Sequence, residues 1–86
     1  MTRDSAEMIA LKGLGFLAQS DDELNRFLSQ TGLEPDSLRK LASQPEFLAA
    51  VTDFLLSDDS LISAFCNAES LKPEVLHSVR RALPGG

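Results

Sequence analysis

The sequence predicts an all-α protein, a compact six-helix domain built from two tandem three-helix units. Three observations carry that prediction. Apolar residues recur at helical spacing along the chain. No segment alternates with period two, and no Asn-Gly or Asp-Gly turn joins two β-branched runs. Finally, the chain matches itself when slid by 38 residues.

The first helix is predicted from about Ser5 to Ala18. Asp4 serves as its N-cap, with Glu7 three residues on as in a capping box. Ile9, Gly13, Phe16 and Leu17 share one face; Met8, Leu11, Leu14 and Ala18 add a second. A helix apolar over most of its circumference is expected to be central. Gly13 and Gly15 are expected to let another backbone approach, since a helical glycine costs about 1 kcal/mol relative to alanine. The second helix spans about Asp21 to Gln30. Ser20 and Glu23 have capping-box spacing, and Asp21 and Asp22 suit a helix N-terminus. Leu24, Phe27, Leu28 and Thr31 form its face, and Gly32 is the left-handed stop.

Proline suits a first helical position, so Pro35, Pro45 and Pro73 start the third, fourth and sixth helices. The third points Leu38, Leu41 and Ala42 inward. The fourth points Phe47, Leu48, Val51, Phe54 and Leu55 inward. The fifth follows Ser57, with Asp58 and Asp59 in its first turn and Leu61, Ile62, Phe65 and Cys66 inward. The sixth carries Val75, Leu76, Val79, Ala82 and Leu83, with Arg80 and Arg81 in its last turn, where cations complement the dipole. Pro84-Gly85-Gly86 is expected to fray.

At the offset of 38, Phe16 falls on Phe54, Leu17 on Leu55, Asp21 on Asp59, Phe27 on Phe65, Pro35 on Pro73 and Leu38 on Leu76. Repeat one is expected over about 5–43 and repeat two over about 44–83. Helices one and four would form the shared centre. The agreement of caps, prolines and aromatics favours duplication over chance alignment.

Composition narrows the function. The 86 residues make one small domain, which buries roughly 60–65% of the surface its unfolded chain exposes. That leaves little room for a deep active-site cleft. Apolar residues at 43% and charged residues at 24% exclude a disordered acidic tail and a membrane span. The net charge of −5 argues against non-specific nucleic-acid or membrane binding. One cysteine forms no internal disulfide, and there is no Cys/His zinc pattern. The polar N-terminus lacks the features of a secretory signal, so a cytoplasmic location is expected.

Gly13-Leu14-Gly15-Phe16-Leu17-Ala18 matches G-x-G-x-x-A, but dinucleotide binding needs a preceding strand, and these glycines lie within a helix. Leu24 to Ala42 has the outline of a helix-turn-helix. Its second helix offers only Arg39 and Lys40 among many acids, a poor surface for phosphates. Asp21-Asp22-Glu23 and Asp58-Asp59 lack calcium-loop spacing and read as helix starts. Cys66 reads as a small core residue and His77 as a surface one. No catalytic residue, metal site or cofactor is expected.

From Leu41 to Leu71 there is no Lys or Arg, while Glu46, Asp53, Asp58, Asp59 and Glu69 carry negative charge; Lys72, His77, Arg80 and Arg81 form a basic end. The expected function is a non-catalytic protein–protein interaction module with an acidic face around the fourth and fifth helices, docking a basic or amphipathic partner by charge. Asp53, Asp58, Asp59 and Glu69 are its candidate residues. Glu46 stands apart, because it also fits the first turn of the fourth helix. A second reading is a DNA-linked regulator using Pro35–Ala42 or Pro73–Leu83, which requires Arg39, Lys40, Arg80 and Arg81 to converge. A third is a small apolar ligand in a cavity lined by Phe16, Phe27, Phe54 and Phe65. An apolar stripe left uncovered on helix one or four would favour a symmetric homodimer.

Phe16-Leu17-Ala18, Arg26-Phe27-Leu28, Thr31-Gly32-Leu33, Pro35, Leu38-Arg39, Phe47-Leu48-Ala49-Ala50-Val51 and Asp53-Phe54-Leu55-Leu56 form a recognisable set. With it the chain, from about Ala6 to Leu83, resembles the bacterial domain-of-unknown-function family 3572. The resemblance implies a small, stand-alone, helical cytoplasmic protein of mainly alphaproteobacterial distribution. It implies no activity, cofactor or catalytic residue.

Overall fold

A computed structural model describes residues 1–84; Gly85 and Gly86 lie outside the described residues. Among the described residues the chain is all-helical, with six α-helices and no strand. They are α1 (Arg3–Ala18), α2 (Asp21–Thr31), α3 (Leu38–Leu41), α4 (Pro45–Leu56), α5 (Asp59–Glu69) and α6 (Pro73–Ala82).

The starts follow local chemistry. Helix α1 begins two residues earlier than expected. Thr2, not Asp4, is its N-cap, and its hydroxyl accepts the Ser5 amide at 3.1 Å. Asp4 then falls in the first turn, and Glu7 pairs with Arg3 at 3.1 Å instead of closing a capping box. Ser20 caps α2 through the Glu23 amide, and the Glu23 carboxylate turns away to Arg26. Asp58 is the N-cap of α5 rather than a first-turn residue; its Oδ1 accepts the Ser60 amide at 2.8 Å. Gly32 ends α2 in the left-handed region, φ 73°.

The third helix departs most from expectation. Pro35–Ser37 form a 3-10 turn, and only Leu38–Leu41 are α-helical. The cause is Pro45. Proline disfavours helical backbone in the residue before it, and Gln44 is extended at φ −92°, ψ 124°. Leu38, Leu41 and Ala42 reach only half-burial.

The core centres on α4. Phe47, Leu48, Ala49, Val51, Thr52, Phe54 and Leu55 are all buried. The Thr52 hydroxyl donates to the Leu48 carbonyl at 2.9 Å, so no polar group is stranded there. Helix α1 packs against α4, α6 and α2, and α6 also rests on α4 and α5. Ala6 and Ala10 meet Leu48, Ala49, Val79 and Leu83 in one apolar cluster. Gly13 extends this seam: a Cβ there would stand 2.8 Å from Leu55 Cδ1.

Helix α1, in contrast, is not enclosed as expected. Leu14 is buried, but Met8 is 64% and Leu11 47% exposed, and Gly15 and Ala18 are also exposed. At the chain end, Arg80 Nη1 donates to the Pro84 carbonyl at 3.0 Å, so Pro84 is held rather than frayed.

Candidate interaction surfaces

The acids singled out from sequence do not form one free patch. Asp53, on the exposed side of α4, accepts from Arg80 Nε at 2.6 Å. Asp58 caps α5 with Oδ1 and turns Oδ2 toward Arg26 at 3.6 Å. Arg26 also pairs with Glu23 at 3.0 Å and lies 5.5 Å from the centre of the Phe54 ring. Glu69 lies 3.6 Å from Lys12. Asp58 and Glu69 flank opposite ends of α5, roughly 16 Å apart at 1.5 Å per residue. Only Asp59 and Glu46 are exposed acids of this set outside any ion pair among the described residues. Three of the four candidates therefore tie helices together, at up to about 1 kcal/mol per exposed pair.

The cations are similarly dispersed. Arg80 is held by Asp53 and Pro84, and Arg81 donates to Ser78 Oγ at 3.3 Å. Arg39 and Lys40 lie exposed on α3, a single turn about 6 Å long. The aromatic rings pack on one another, and the open pockets they border are separate: Phe27 and Phe54 line one and Phe16 another. Phe27 meets Phe54 edge to face at 5.4 Å and Phe47 at 5.8 Å, and Phe16 meets Phe65 at 5.6 Å. Phe27 and Phe65 are wholly buried.

The uncovered apolar stripe, which the sequence leaves open between helices one and four, lies on α1. Met8, Leu11, Gly15 and Ala18 are spaced three, four and three residues apart, which places them on one side of α1. That side faces away from the buried Ala6, Ala10, Gly13 and Leu17. Beside its C-terminal half opens a groove of ≈ 420 Å³, walled by Leu11, Leu14, Gly15, Ala18, Leu38, Arg39 and Ala42. Its walls are almost entirely carbon. Gly15 has no structural reason of the Gly13 kind, because a Cβ there would meet nothing within 4 Å. The sequence signal was the excess of apolar positions on this helix, more than one neighbouring layer can cover.

A family model described as Protein of unknown function (DUF3572) matches residues 3–86. The chain belongs to this family. No curated protein and no solved structure matches it.

In this DUF3572 chain Cys66 is buried and free. Burial, and secondarily the charge of Glu74, push its thiol above the ordinary value. A protonated, enclosed thiol is a weak nucleophile. His77 is exposed. Among the described residues no three His, Cys, Asp or Glu side chains cluster as a metal site. No described helix is long and apolar enough to cross a membrane.

Proposed function

We propose that the chain is a non-catalytic protein–protein interaction module whose working surface is the apolar face of α1 and the adjoining α3 groove. The observation that supports this reading is the pairing of exposed Met8 and Leu11 with an open, carbon-walled groove. Exposed apolar groups arranged contiguously mark interaction surfaces. The groove carries Arg39 on its wall. A fitting occupant is an amphipathic helix with acidic residues beside its apolar stripe. The acidic-face reading receives less support, because Asp53, Asp58 and Glu69 are engaged within the chain.

A photo-crosslinking residue at position 11, compared with one at position 59, tests the choice in the native cell. Adducts from position 11 to an acidic, apolar helical segment are expected. Adducts from position 59 alone would return the site to the acids.

The duplication belongs to the same proposal. Ser20 and Asp58 cap equivalent helices, and Gly32 and Ser70 end them in left-handed conformation at φ 73° and 55°. Leu17 and Leu55 are equally buried, as are Phe27 and Phe65. If the halves are equivalent, Phe27→Ala and Phe65→Ala cost the same within about 1 kcal/mol of the usual 3–5. A gap of several kcal/mol in urea melts would remove the duplication.

A further inference from the structure

The apolar stripe on α1 has a property beyond being uncovered: it complements itself. Met8 and Leu11 are large and come first along the stripe; Gly15 and Ala18 are small and follow them. Place a second α1 antiparallel to the first, about a twofold axis level with Gly13. Met8 of each copy then faces Ala18 of the other, five residues either side of the axis. Leu11 faces Gly15, two residues either side. Every large side chain meets a small one, in both directions at once, as an isologous contact requires. The three-four-three spacing is also that of a two-helix seam.

Charge supports the same arrangement. A twofold axis across an antiparallel pair keeps each flank of one helix on the same flank of its partner. The α3 side of one copy therefore receives the Glu7 side of the other, beside the C-terminal half of α1. Arg39 lines that part of the groove. Arg39 and Asp4 are in no ion pair among the described residues, and Glu7 is paired only with the exposed Arg3. The second copy thus delivers Asp4 and Glu7 to an open guanidinium. On the opposite flank the two Lys12 side chains approach the axis, each accompanied by Glu69 at 3.6 Å, so their repulsion is offset. Gly15 gains a reason here that its own fold does not supply. A Cβ at that position would meet nothing in the chain itself, but it would stand where the second copy's Leu11 seats.

We infer that the occupant of this face is a second copy of the chain, docked antiparallel through α1 with Leu11 over Gly15 and Arg39 against Asp4 and Glu7. This rests on the reading of the α1 face as the working surface.

Sedimentation equilibrium of the full chain between roughly 1 µM and 1 mM tests it, a span wide enough to titrate a micromolar dimer. The expected result is a concentration-dependent rise from 9.3 kDa toward twice that mass. Leu11→Lys should abolish the rise and leave helicity and melting temperature unchanged, since Leu11 is about half exposed. Arg39→Glu should weaken association at least tenfold. Arg39→Glu combined with Glu7→Arg should recover most of that loss, and raised salt should weaken the wild-type dimer. A 9.3 kDa species at every concentration overturns the inference, as does a dimer indifferent to Leu11→Lys. A monomer that still crosslinks from position 11 to a different protein overturns the second copy alone and leaves the α1 face standing.

Discussion

Two segments of this chain begin alike and finish differently. Pro35-Asp36-Ser37-Leu38 and Pro73-Glu74-Val75-Leu76 each open with a proline, an acid and a leucine three residues on. The second continues into α6, ten residues long, and buries Leu76, Val79 and Leu83 against α1, α4 and α5. The first opens in a 3-10 turn, makes one α-helical turn and stops before Pro45, and its apolar residues stay half-buried. Helix length decides coverage. The side of α1 carrying Ala6 and Ala10 is sealed by α6 and α4, while α3 is too short to close over Leu11, Gly15 and Ala18. The open face of the molecule is a consequence of where a helix stops.

The largest test of that contrast is truncation. Phe54→Ala and Leu76→Ala remove buried side chains and should cost about 3–5 and 2–5 kcal/mol. Leu38→Ala, on the short segment, should cost less, about 1–2 kcal/mol, since Leu38 packs only at the edge of the core. Urea melts of the three variants check this. If Leu38→Ala matches Leu76→Ala, the two segments are packed alike and the contrast fails.

The two glycines of α1 should respond with opposite sign. Gly13→Ala places a methyl against the enclosed Leu55. Overpacking of about 1–3 kcal/mol exceeds the gain in helix propensity of about 1 kcal/mol, so stability falls. Gly15→Ala meets nothing within 4 Å and should stabilise the monomer by about 0.5–1 kcal/mol. Thermal melts at low protein concentration read both; equal signs would mean that the two faces of α1 are not distinct.

A smaller effect reads the seal made by α6. Cys66 shares a buried cluster with Leu76, and its thiol is raised above 9.0 by burial and by Glu74. The unfolded chain therefore releases this proton at lower pH than the folded one. Folding stability should decline as pH rises past the ordinary thiol value, and Cys66→Ala should lose that decline. Thiol labelling should be slow natively and fast in urea. Rapid native labelling would show that α6 does not cover the site.

Most of the fold was legible because its determinants are local. Ser20, Gly32, Pro35, Pro45 and Pro73 act on backbone within a few residues of themselves, and the inward positions of α4 and α6 follow from spacing alone. The surfaces were less legible because they depend on distant pairs. Asp53 reads as a free acid in the sequence, yet its partner Arg80 lies 27 residues on. Glu69 is met by Lys12 from the far end of the chain. Met8 and Leu11 looked like core residues, since periodicity reports which residues are apolar and not which face finds a neighbour.

The inferred dimer seats the open face of α1 on the same face of a second copy. Chains carrying Leu11→Cys and chains carrying Gly15→Cys, mixed under mild oxidation, test it most directly, because a disulfide needs Cα atoms within roughly 4.4–6.8 Å. A disulfide-linked dimer should form faster in the mixture than in either variant alone or in an Asp59→Cys control. A mixture that crosslinks no faster than that control would contradict it.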